Sequence, residues 1–179
     1  MKFRTKIVSL VLVVLSLFCL TGCEYLYEGG TLGPGTNVDI SGSRTKYTDS
    51  LKLALLPSAS SSFDVDGMCF ATVDKYVDGD TTYFYANLST GKDSISIRYM
   101  GLDTPESTYK VEPWGFAASK HTKNALKNAY KIVLQCDDIN DRVDSTGERY
   151  LSWVWLIDEN GDSRLLNLEL VELALAKAK

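Results

Sequence analysis

Apolar and polar positions change rhythm several times along this chain. Residues 70–77 read as a strand, Asp78-Gly79-Asp80 breaks it, and residues 81–88 form a second run rich in Thr, Tyr and Phe. Two β-rich runs joined through Asp-Gly are the strongest short-range signal for a hairpin. After a Gly91-Lys92 turn, residues 94–102 predict a third strand in which Ile95, Ile97 and Tyr99 alternate with Ser96, Arg98 and Met100. That period of two puts Arg98 on the face opposite the isoleucines. Asp103-Thr104-Pro105-Glu106 ends the strand, and a helix is predicted over residues 113–129, with Pro113 near its start where first-turn chemistry tolerates it. Ala118, Ala125, Leu126 and Ala129 share one face of that helix. Residues 131–136 and 150–157 predict two more strands around a polar loop containing Asp144-Ser145-Thr146-Gly147, and Asn160-Gly161 turns the chain into a last amphipathic helix over residues 167–176. Three strands, a helix, two strands and a helix imply an α+β domain, a small antiparallel barrel with helices packed on it.

The N-terminus has a different character. Lys2, Arg4 and Lys6 precede an apolar run over residues 7–20. A positive cap and a core of this length fit a secretory leader, whereas a spanning helix needs roughly 20 apolar residues. The run ends in Leu20-Thr21-Gly22-Cys23, which resembles the bacterial lipoprotein cleavage box. The resemblance implies that residues 1–22 are a lipoprotein signal peptide and that Cys23 carries the lipid. The protein would then be exported and anchored to the outer face of a bacterial cell membrane, each buried acyl methylene contributing about 0.8 kcal/mol. Residues 23–65, rich in Gly, Ser and Thr, read as a flexible tether. An apolar stretch over residues 51–56 could dock, and residues 66–179 form the folded domain.

Charge narrows the function classes. Removing the leader takes three of the 19 basic residues and leaves 16 against 23 acidic ones, a net charge of −7. Such a field does not draw in polyanions by itself, which argues against a generic basic-patch binder but not against an enzyme that offsets its carboxylates with a divalent cation. His121 is the only histidine, so a multi-histidine zinc site is excluded; between Lys120 and Lys123 it reads as a solvated residue. Tyr83, Tyr85, Trp114 and Trp153 read as fillers of the barrel core and its helix contacts. Cys69 and Cys136 remain in the exported chain without metal-ligand spacing.

Three motifs combine into one chemistry. Asp80 and Asp103 stand at the ends of two strands that a meander places side by side, so they could share one Ca²⁺, a hard ion that accepts six to eight oxygens, with the Thr104 carbonyl added. Glu106, stiffened by Pro105, could face a water beside it. Arg98 and Arg149 supply planar forks that match phosphate oxygens. A Lewis acid, a base and charge clamps are the requirements of phosphodiester hydrolysis.

The stretches Ala71-Thr72-Val73 to Val77-Asp78-Gly79-Asp80-Thr81, Arg98 to Leu102-Asp103-Thr104-Pro105-Glu106, Gly147-Glu148-Arg149-Tyr150-Leu151-Ser152-Trp153-Val154-Trp155 and Asn167 to Lys177 occur in that order. Together they resemble the signature of the staphylococcal nuclease (thermonuclease) family over about residues 66–179. The resemblance implies a five-stranded OB-fold β-barrel with packed helices and a monomeric, calcium-dependent endonuclease that cleaves DNA and RNA to 3′-phosphates. In it Asp80, Asp103 and the Thr104 carbonyl hold Ca²⁺, and Asp78 is a carboxylate just behind them. Glu106 is the general base, and Arg98 and Arg149 stabilise the phosphate and its leaving group. The first and fourth main strands are neighbours in such a barrel, which implies a Cys69–Cys136 disulfide. This chain departs from the pattern in three places. The loop before Arg149 is one residue longer, and Thr146 stands where many members carry an aromatic. The chain also stops at Lys179, where relatives continue through a tyrosine-bearing segment, so the family's C-terminal helix is expected to be missing. The competing reading is a catalytically silent OB module on a surface lipoprotein, binding nucleic acid or protein. Retention of Glu106, both arginines and both ligand aspartates favours the enzyme.

Overall fold

A computed structural model of the chain describes residues 51–108 and 110–179. The proposed leader, Cys23 and the tether up to residue 50 lie outside the described residues. A single turn of helix, α1 (Phe63–Asp66), leads into β1 (Met68–Tyr76), β2 (Thr81–Leu88) and β3 (Gly91–Tyr99). A two-residue strand β4 (Leu102–Asp103) and helix α2 (Gly115–Lys127) follow. Then come β5 (Lys131–Gln135), β6 (Tyr150–Ile157), β7 (Ser163–Leu165), α3 (Leu166–Glu172) and β8 (Lys177–Ala178).

The strands order as β3-β2-β1-β5-β6, and β3 then pairs with β6, closing a five-stranded barrel with β7 on the outer end of β6. The seam is parallel, with Ile97 opposite Tyr150, Arg98 opposite Leu151 and Tyr99 opposite Ser152. This is the α+β OB-fold barrel that the motif order implies. Alternation drives it: Phe84, Ala86, Ile95, Ile97, Ile132, Leu134, Val154 and Leu156 point inward and are buried with Ala118, Ala125, Leu126, Leu166 and Leu170 from the helices. A second cluster of Val133, Trp155, Ile157 and Leu165 covers the outside of β5–β6–β7, with Leu53, Met68 and Phe70 packed on it. Leu53 also donates its backbone N–H to Ser163 Oγ at 2.8 Å, and Phe63 is fully buried in the main core. The packed body therefore extends back past residue 66.

Several elements differ from their sequence expectations. The third strand stops at Tyr99 because Gly101, at φ +72°, turns the chain; a side chain there would meet the Trp153 ring at 3.1 Å. The last helix ends at Glu172, since Ala174 takes a left-handed φ of 55° that swings Leu175 into the core. Such C-terminal reversals normally use glycine. β8 then pairs antiparallel with β4, Ala178 opposite Leu102 and Lys177 opposite Asp103. Tyr83, Tyr85 and Trp114 face outward rather than filling the core. His121 is not solvated: its ring meets Glu169 at 2.9 Å, and Arg164 pairs with the same buried carboxylate.

Cys69 and Cys136 lie on neighbouring strands as expected, yet both are free, buried thiols, so the disulfide expectation is corrected. Cys69 is opposite Leu134, while the Cys136 N–H donates to Gly67 O at 2.8 Å. The two cysteines are thus diagonal neighbours, about 7–8 Å apart in a sheet, beyond the roughly 6.8 Å that a disulfide normally spans.

Candidate functional site

The turn between β1 and β2 is built around Asp80. The Asp78 carboxylate accepts the Asp80 N–H at 3.0 Å, and the Asp80 carbonyl accepts the Tyr99 N–H at 2.8 Å, tying the turn to the end of β3. From the other side, the Thr122 hydroxyl of α2 donates to the Gly79 carbonyl at 2.6 Å. The Asp80 side chain is only 1 % exposed. One of its oxygens meets Arg98 Nη1 and the Thr81 hydroxyl at 3.2 Å; the other accepts the Thr104 N–H at 2.7 Å. Arg98 extends its second nitrogen, Nη2, to Asp103, so one guanidinium bridges both aspartates. Lys179 Nζ approaches the same Asp103 oxygen at 3.2 Å.

These carboxylates titrate differently. Burial, then the charge of Asp80, pushes Asp78 up to about 6, with the Glu106 charge adding to it. Partial burial also pushes Asp103 up, but Lys179 and Arg98 outweigh it and hold the group below the usual carboxylate range. Glu106 is held down by the Thr108 hydroxyl and amide, by the Ser107 amide and by the charge of Arg98. Its contacts are 2.5 Å to the Thr108 hydroxyl and 2.9 and 3.0 Å to the two amides.

The backbone around Glu106 is pinned. Its N–H donates to Glu112 Oε2 at 3.1 Å and its carbonyl accepts the Glu112 N–H at 2.8 Å. Gly115 packs so tightly here that a Cβ would stand 2.2 Å from the Glu106 carbonyl oxygen. Trp114, which precedes it at a φ of 74°, is strained for a residue with a side chain.

Arg149 enters from the loop before β6. Asp144 Oδ2 holds its Nε and Nη2, both at 2.7 Å. Burial raises Asp144, yet the Thr146 hydroxyl and Arg149 overcome this and bring it down to about 2. Arg98, Leu102, Asp144, Arg149, Leu151 and Lys179 line one cavity of ≈ 370 Å³, so the two arginines share a single space.

The sequence signature of the staphylococcal nuclease homologue family matches residues 96–179. The thermonuclease of Staphylococcus intermedius is 36% identical over 126 residues, which cover 69% of this chain and 67% of that protein. The chain belongs to the staphylococcal nuclease homologue family. An uncharacterized protein of Methanocaldococcus jannaschii is 28% identical over 129 residues, 60% of this chain and 58% of that protein.

In this family member, the structure brings Asp80, Asp103, Arg98 and the Thr104 backbone together. It puts Glu106 within electrostatic reach of Arg98 and Asp78, and Arg149 across a common cavity from Arg98. Four contributors escaped the sequence reading. Lys179 reaches Asp103 only through the β4–β8 pairing, and Asp144 reads as a loop residue until it is seen holding Arg149. Glu112 returns to Glu106 across a loop without periodicity. Asn167 lies on a helix, yet its side chain serves strands: it accepts the Val154 N–H at 2.8 Å and donates to the Met100 and Ser152 carbonyls at 3.0 and 3.2 Å. A buried Asn in the first turn of an amphipathic helix is the one sequence signal among the four.

Proposed function

We propose that this chain is a calcium-dependent nuclease that hydrolyses phosphodiester bonds of DNA and RNA to 3′-phosphate products. The observation that carries the reading is Arg98 bridging Asp80 and Asp103 while it shares a cavity with Arg149. The donor set fits Ca²⁺: Asp80 and Asp103 offer hard carboxylate oxygens drawn together by one guanidinium, and the Thr104 carbonyl and water would complete the six to eight donors the ion takes. When bound, the ion would supply positive charge for the reacting phosphate. Arg98 holds the two aspartates together here; with an ion taking over that bridge it would be released to phosphate oxygens, which Arg149 would meet from across a partly enclosed space where charge–charge interaction is stronger than in water. Glu106, kept ionised by the Thr108 hydroxyl and two amides, accepts a proton from the attacking water. Asp144 fixes the direction of the Arg149 fork.

The test is digestion of plasmid DNA and of RNA with and without Ca²⁺, beside Glu106→Gln. The substitution should lower kcat by roughly 10²–10⁴-fold, the usual contribution of a positioned general base, while the Kd for uncleaved substrate stays close to the parent value. A variant with near-normal turnover overturns the assignment of the base, and digestion that survives chelation overturns the ion.

The proposal extends to place. The charged cap, apolar core and Leu20-Thr21-Gly22-Cys23 box support export and lipid attachment at Cys23, with the enzyme acting as a monomer outside the membrane. Detergent partitioning of cells expressing the full chain and Cys23→Ala checks it; equal partitioning would remove the anchor.

A further inference from the structure

Beside the two arginines a third cation reaches the cleft, carried there by β8. Ala174, at a φ of 55°, reverses the chain after α3, and the Leu170 carbonyl accepts the N–H groups of Leu175 and Ala176 at 2.9 and 3.1 Å. Leu175 is buried, so β8 leaves the core in a fixed direction and pairs with β4, Lys177 opposite Asp103. The Lys179 N–H then donates to the Gly101 carbonyl at 3.0 Å. Backbone bonds alone therefore bring Lys179 to the cleft, whatever its side chain. Its ammonium meets Asp103 Oδ1 at 3.2 Å, the same oxygen that Arg98 Nη2 takes, and Lys179 lines the cavity of Arg98 and Arg149.

As a structural bond this pair is poor. Lys179 is 62% and Asp103 42% exposed, and an ion pair so open to water adds little to stability. What it changes is the charge around the ligand oxygens. Asp80 and Asp103 stand against Arg98 and Lys179, two negative and two positive groups in contact. The carboxylates are thus balanced by the protein itself, and a divalent cation drawn to Asp103 works against that balance. The two resident cations differ in how readily they yield. Arg98 is 19% exposed and held by both aspartates, whereas Lys179 is held by one, at the end of a flexible four-carbon stem.

We propose that Lys179 is an exchangeable counter-cation: it competes with the divalent ion for Asp103 and, once displaced, stays in the cavity as a third positive charge for the phosphate. The exchange rests on the nuclease reading for its ion and its substrate. It links the two, because the ammonium opposes the ion when alone and finds a new partner when phosphate is present. Each ligand then favours the other, and the linkage is reciprocal.

The test uses the full chain carrying Glu106→Gln, which keeps the substrate intact. Ca²⁺ alone is titrated by calorimetry, and a labelled single-stranded oligonucleotide of about 12 nucleotides is followed by anisotropy in saturating Ca²⁺. Lys179→Met removes the charge and keeps the stem and the backbone bonds. It should tighten Ca²⁺ by about three- to tenfold, the effect of one positive charge beside a doubly charged ion in watery surroundings. The same variant should bind the oligonucleotide more weakly, with a slope of log affinity against log salt shallower by about 0.7. Lys179→Arg should leave both close to the parent. Opposite signs are the signature, since a lysine that merely held β8 in place would weaken both on removal. The exchange is overturned if either affinity is unchanged in Lys179→Met, or if both move in the same direction. Parent and variant that both ignore Ca²⁺ sink the ion of the nuclease reading together with the exchange. A parent that binds Ca²⁺ with an affinity Lys179→Met does not alter removes the exchange alone.

Discussion

Asn167→Ala is the most informative single change outside the cleft. The side chain is 2% exposed and joins three backbone groups: the Val154 N–H, the Met100 carbonyl and the Ser152 carbonyl. The Ser152 carbonyl keeps a second donor, the Met100 N–H at 3.0 Å. Alanine therefore strips the side-chain partner from two groups, the Val154 N–H and the Met100 carbonyl, and a bared buried polar group costs about 1–3 kcal/mol. The expected loss is roughly 2–6 kcal/mol, a large part of the about 5–15 kcal/mol that holds a domain together. In urea the midpoint should fall by roughly 1–3 M at unchanged m-value. Asn167→Asp separates hydrogen bonding from packing, because it keeps the volume and the acceptor for Val154 while turning an oxygen toward two carbonyls. It should be at least as destabilised at neutral pH. The reasoning fails if the alanine variant loses less than about 1 kcal/mol, the lower bound for a single bared group, or if aspartate is tolerated.

Two further substitutions probe the parts around the cleft. Gly115→Ala puts a Cβ against the Glu106 carbonyl, where backbone has to yield; kcat should fall by up to about 10²-fold, the cost of a shift near 1 Å in a reacting group, in a protein whose circular dichroism is unchanged. Normal turnover would show that Glu106 does not depend on this packing. Asp144→Asn tests a depressed carboxyl: its folded value of about 2 lies below the ordinary 3.8, so its stabilising effect is complete above 3.8 and is lost as pH falls through 2. Urea midpoints of parent and variant should differ by a constant amount near neutrality and converge toward pH 2; a gap that persists there would contradict the Asp144–Arg149 pairing.

Much of the barrel was legible because its information is local. The alternation through Ile95 and Ile97, the Asp-Gly turn and the apolar face of the first long helix each follow from a few neighbouring residues, and so does the approach of Asp80 and Asp103 to Arg98, which shares a cavity with Arg149. The misreadings share a cause, which is that a distant segment decided the outcome. Nothing near Lys177 shows that it will pair with Asp103, and nothing near His121 shows a buried Glu169 and Arg164 waiting for it. Aromatic character alone points Tyr83 and Tyr85 toward the core, although Phe84 between them, with the buried Thr82 and Ala86, already claims that face. The cysteine pairing needed register, not strand adjacency: a shift of two residues separates neighbouring thiols from bonded ones.

The parallel seam between β3 and β6 has a consequence for how the molecule comes into being. Arg98 is opposite Leu151 across that seam, and Arg149 lies just before it, so the two guanidinium groups meet only when the circuit of strands is complete. Contacts this distant in sequence form late, after the entropy of closing the intervening chain has been overcome. A half-made molecule with its hairpins formed and its circuit open carries the two guanidinium groups on separated ends of a ribbon. Completion of the barrel is therefore the step that brings the two arginines into a common cavity.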